Sequence, residues 1–148
     1  MGTSAGEIVK TAWWAYAPTL TAVTTNPTLG SGAVQDGWYT WLSGNMIMYH
    51  FGIKFGTSGT NAGSGQYLIS LPYVAVADIG NGMPEAVGSG LVRDSSASNV
   101  IQSTWYIPDT NLNVVAGFSS DTVITHAAPW AWGASDYLAG TIIYHAVP

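Results

Sequence analysis

The clearest alternation of apolar and polar positions lies between residues 46 and 55. Ile47, Tyr49, Phe51, Ile53 and Phe55 fall on one side of an extended chain, and Met46, Met48, His50, Gly52 and Lys54 fall on the other. Side chains of a strand alternate at period two, so the first set predicts a core face. The second set carries methionines and a ring, which predicts packing on another sheet or another subunit. Ahead of this strand runs Gly37-Trp-Tyr-Thr-Trp-Leu42, and Gly44-Asn45 separates the two as a hairpin turn signal. A two-residue turn there pairs Leu42 with Ile47, Thr40 with Tyr49 and Trp38 with Phe51. Trp41 then lies beside Met48 and Tyr39 beside His50. Tyr39, Trp41, Met46, Met48 and His50 thus form one candidate subunit interface.

The remaining chain reads as short strands joined by turns. Residues 1–10 form an arm with capping-box spacing between Ser4 and Glu7, too short to hold a helix alone. The arm is expected to dock on a partner subunit. Residues 13–24 give one or two strands broken by Pro18, which cannot donate to a ladder. Residues 26–36 are a turn-rich connection. Residues 56–65, rich in Gly, Ser and Thr, read as a flexible loop leading into a strand at 66–71. Further strands are expected at 73–77, 85–92, 99–107, 112–118, 123–126 and 137–147. A loop at 78–84 and an aromatic-rich loop at 127–136 separate some of them. That makes about 8–10 short strands at the spacing of an all-β sandwich or barrel, with no long amphipathic helix. The 148 residues fit one domain, residues 11–148, behind the arm.

Composition narrows the function. Charged residues make up 7% of the chain, against about 25% in ordinary soluble domains. The exterior must therefore be built from Ser, Thr, Asn and Gly, as suits secreted, virion or heavily covered oligomeric proteins. Net charge is -5, with Lys10, Lys54 and Arg93 the only basic side chains. Nucleic-acid binding needs clustered cations and is not expected. Without cysteine there is no disulfide framework, thiol nucleophile or cysteine zinc site. No apolar run is long enough to predict a membrane span, and no export signal is visible.

Residues 37–72 carry a resemblance. The pattern is Gly37-x-Tyr39-Thr40, a hydrophobic hairpin, Phe55-Gly56-Thr57, a Gly/Ser/Thr loop, Gly65 and an aromatic, then Ser70-Leu71-Pro72. Near the end follow Trp130-x-Trp132, Asp136-Tyr137-Leu138 and Gly140-Thr141, and near the start Tyr16-x-Pro18-Thr19. In order and spacing this resembles a C-terminal β-domain of tail-fibre and minor tail proteins of tailed actinobacteriophages. The resemblance implies a jelly-roll-like module on a virion, assembled as a trimer, serving adhesion or ornament, and it brings no catalytic residues. With only residues 1–10 ahead of the domain no shaft is expected, which favours a stand-alone decoration or fibre-head subunit.

The residues offer little to an enzyme. His50, His126 and His145 lack short metal-ligand spacing. Ser119, Ser120, Asp121 and His126 cluster in sequence, but a triad is defined by geometry, and Ser-Ser-Asp-Thr reads as a turn. The Gly-rich loop enters a strand and carries no Lys, unlike a phosphate cradle. Aromatics weigh more, with seven Trp and eight Tyr. Trp130 and Trp132 before Asp136 are the first candidates for stacking on a glycan, and Tyr106 beside Asp109 is the second. Core or interface packing explains the same residues.

The expectation is therefore an all-β antiparallel sandwich of jelly-roll character, trimeric, without catalytic residues, cofactor or metal. Its partners would be itself, other virion proteins of capsid or tail and, in the alternative reading, a host-surface glycan. The expected location is the virion exterior. A glycan depolymerase is the weaker alternative and would need two carboxylates in one groove.

Overall fold

The computed structural model describes residues 12–76 and 83–147. The expected arm 1–10 and most of the 78–84 loop lie outside the described residues. Among those described there is no helix and the fold is all-β. In chain order the strands are β1 (Trp14–Ala15), β2 (Leu20–Ala22), β3 (Val34–Ser43), β4 (Met46–Lys54), β5 (Tyr67–Ser70), β6 (Glu85–Asp94), β7 (Asn99–Ile107), β8 (Val114–Ser119), β9 (Thr122–Val123) and β10 (Tyr137–His145). All pairs are antiparallel, in the order β1-β3-β4-β10-β6-β7-β8-β5-β2, with β9 added on β8.

Connectivity forces this sheet to curl. Its two edge strands, β1 and β2, are consecutive in the chain. The five steps from Ala15 to Leu20 reach at most roughly 18 Å, whereas a flat sheet of nine strands would hold its edges roughly 38 Å apart. The linking segment bonds to both sides. Tyr16 N donates to Gly37 O (2.9 Å), Thr19 N donates to Ser70 Oγ (2.8 Å), and Tyr16 OH donates to Ser70 Oγ (2.8 Å). The result is a half-barrel, β-sandwich-like fold with one enclosed core.

The inward face of β4 is the one alternation predicts: Ile47, Tyr49, Phe51, Ile53 and Phe55 are all buried. Each such side chain contributes about 1.5–3 kcal/mol of burial. They meet Tyr67 and Ile69 of β5, Trp105 of β7, Val115 of β8 and Leu138 and Ile142 of β10. Trp105 stands edge-on to Phe51 at 5.0 Å. Its indole fits because Gly117 and Gly140 lie beneath it, where any Cβ would collide with the ring.

Three expectations need correction. First, Gly44-Asn45 does form the two-residue turn, with Ser43 facing Met46, but Leu42 is an extra residue. This bulge sets Trp41 opposite Ile47, Tyr39 opposite Tyr49 and Trp38 opposite His50. Tyr39 and Trp41 therefore share the inward face and do not join Met46, Met48 and His50. Second, of the two covers expected for that other face of β4, another sheet is absent among the described residues. Third, residues 56–65 form an irregular ribbon with residues 25–31 instead of a free loop. Thr25 and Ser64 exchange bonds of 3.0 and 2.9 Å, Thr28 and Asn61 bonds of 2.8 and 2.9 Å, and Ser31 N donates to Ser58 O at 2.9 Å. Gly30 and Gly63, both at positive φ, allow this close approach, since a Cβ on either would strike the opposing backbone.

Candidate functional site

The outward face of the sheet is a grid of rows running across the strands, fixed by the pairing registers. One row is Val34, Lys54, Tyr137 and Arg93. The next is Asp36, Gly52, Ala139 and Leu91, and the third is Trp38, His50, Thr141 and Ser89. The middle row has almost no side chain over β4 and β10, while both flanking rows carry large ones. The consequence is a trough of about 370 Å³ with Gly52 and Ala139 as its floor. A second hollow of about 330 Å³ continues it across β10 toward Leu91 and Ser89 on β6.

Each bank carries an aromatic. Trp38 is 46% exposed on one, and Tyr137 stands on the other with the Arg93 guanidinium over its ring at 5.8 Å. His50 beside Trp38 is held from two directions. Its Nδ1 lies 2.7 Å from Thr141 Oγ1, and the Trp13 ring stacks on it at 5.0 Å and 16°. Trp13 is placed in turn by its neighbour Ala12, whose carbonyl accepts from Thr40 Oγ1 at 2.8 Å. Asp36 and Lys54 line the same trough, and among the described residues neither side chain has a hydrogen-bond or ion-pair partner. The trough thus presents aromatic surfaces, the Asp36 carboxylate, the Lys54 ammonium and an oriented imidazole. Two-carboxylate glycoside hydrolysis would need a second acid here, and among the described residues Asp36 is the one carboxylate that lines it.

A second surface lies at one end of the sandwich. Tyr73 meets Tyr39 at 5.6 Å and Trp41 at 5.1 Å, and Trp14 stacks on Tyr39 at 5.6 Å. Val74 joins through its carbonyl, which accepts from Val147 N. Trp14, Tyr73, Val74 and Val147 are exposed there.

The aromatic residues singled out in the sequence lie elsewhere, and Trp132 and Trp130 pack into the core. Trp132 is 5% exposed and packs on Phe55 (6.0 Å) and Tyr67 (5.6 Å). Asp136 is buried, accepting from Ser95 N and Gly133 N, both at 2.8 Å. Trp130 is half-buried against Trp132, with its ring nitrogen enclosed. The 127–136 loop therefore seals the core and leaves no stacking face on Trp132. Tyr106 is half-buried, stacked on Phe118 at 4.8 Å and accepting from Gln66 Nε2 at 2.6 Å, and half-buried Asp109 lies in the turn that follows.

Nor does the Ser119 cluster assemble. The Ser119 hydroxyl is enclosed and has no hydrogen-bond partner among the described residues, Asp121 accepts from Thr122 Oγ1, and His126 Nδ1 accepts from Gly65 N at 3.0 Å. No group of three His, Asp or Glu side chains converges among the described residues. No helix of the described residues is long and apolar enough to cross a membrane.

Gly52 is the mark of the trough in the sequence. Gly in the interior of a strand often marks close approach of a ligand, and Gly52 interrupts an otherwise bulky strand. No family model matches the chain, and no curated protein or solved structure is significantly similar to it.

Proposed function

We propose that the chain is a non-enzymatic structural subunit of a bacteriophage virion, worn on the exterior of capsid or tail as a decoration or fibre-head protein and assembled as a homotrimer. The observation that carries this reading is the apolar end formed by Trp14, Tyr73 and Val74. Exposed aromatic clusters of this kind suit burial between subunits. The low charge and the motifs in residues 37–72 that resemble tail-protein modules point the same way.

A second reading is a receptor-binding tip for a host glycan, and the trough over Gly52 and Ala139 favours it. Electron microscopy of source virions labelled with antibody against this chain tests both. Label over the head is expected for a decoration role, and label at the tail tip for adhesion. Particles free of label would overturn both readings.

A further inference from the structure

We infer that the outward trough is a carbohydrate site that takes a neutral oligosaccharide lying across the strands, with Trp38 and Tyr137 as its two stacking walls. This deepens the receptor-binding reading and rests on it for its biological use.

Three observations carry it. First, β4 and β10 have partners on both sides, so the floor has no free backbone groups. Strand addition of a peptide is thereby excluded, and a ligand must be held by side chains. Second, those side chains match a sugar. The banks offer aromatic faces for the C–H side of a pyranose. Asp36 and Lys54, both without hydrogen-bond or ion-pair partners among the described residues, offer an acceptor and a donor to its hydroxyls. His50, fixed by Thr141 and Trp13, offers its second ring nitrogen. Third, the charges of the lining balance. Among the described residues one carboxylate and one ammonium line the trough, and the Arg93 guanidinium lies outside that lining, over the Tyr137 ring. A phosphate or sulfate ligand would call for several free cations. The joined hollows run from β3 to β6, about 14 Å at ordinary strand spacing, which suits several linked sugar rings better than one.

The test is titration calorimetry of the full chain with neutral probes, namely α-mannan, β-glucan and galactan oligosaccharides, beside a sulfated set. Saturable binding of a neutral member is expected. Trp38→Ala should weaken it at least tenfold with an unchanged melting temperature. Gly52→Leu, which fills the floor where a Cβ meets no neighbouring atom, should abolish it. Tyr73→Ser at the apolar end should leave it unchanged. Binding that survives both trough variants would overturn this site and leave glycan recognition standing elsewhere. A folded chain that binds no neutral probe, or prefers the sulfated set, would overturn the site and with it the neutral-glycan form of the receptor reading. The virion-subunit reading, tested by labelling, would stand apart from either result.

Discussion

Gly52 of β4 and Ala139 of β10 face each other across the strand pair, and neither fills the space outside the sheet. The hollow is thus made by what two neighbouring strands omit. Filling it should not harm the fold. Gly52→Val places a β-branched side chain in open space and replaces a residue that weakens strands. Thermal melting should show stability unchanged or raised by up to about 1 kcal/mol. A large loss would mean that Gly52 is needed by the backbone itself.

The tryptophans should separate sharply. Trp132→Ala removes a buried ring from between Phe55 and Tyr67 and should cost about 3–5 kcal/mol. Trp38→Ala strips an exposed ring and should change stability by about 0.5 kcal/mol or less. Denaturant unfolding of the two variants, side by side, checks the difference.

Gly63 meets the backbone of Thr25 across the ribbon at positive φ. Gly63→Ala adds a Cβ that has no room and disfavours the conformation, so the loss should exceed about 1 kcal/mol. Hydrogen exchange should show faster opening at Thr25, Asn61 and Ser64, while β4 amides keep their protection.

Burial pushes the hydroxyls of Tyr49, Tyr67 and Tyr144 well above the ordinary tyrosine range. In the unfolded chain they ionise near pH 10. Above that pH the unfolded state sheds protons that the native state keeps, so stability present below pH 10 is lost as pH rises. With three such groups the slope is about 4 kcal/mol per pH unit. Circular dichroism should show a steep alkaline unfolding, with the last tyrosinate absorbance rising in step. Full ionisation of all tyrosines in a chain that stays folded would contradict this.

What the sequence revealed was local. The alternation through Ile47–Phe55 named the core face correctly because one strand's period needs no partner. Pro18 marked the break between β1 and β2 because it cannot donate a ladder bond. What escaped was set by distant pairing or by a single inserted residue. Leu42 has no chemical mark of a bulge, and with Tyr39 and Trp41 both aromatic, either register looked apolar. The 56–65 segment looked mobile because its partner, residues 25–31, lies far away in the chain. Trp132 and Trp38 are the same residue type, and only the path of the 127–136 loop sends one into the core. The trough required β4 to lie beside β10, a pairing that no spacing in the chain specifies.

Assembly through the apolar end is the step on which a virion-subunit role depends, and light scattering of the purified chain at micromolar concentration reads it directly. A particle of three chains is expected, falling to one on Trp14→Ser combined with Tyr73→Ser. A wild-type particle of 15.5 kDa, the mass of a single chain, would contradict it.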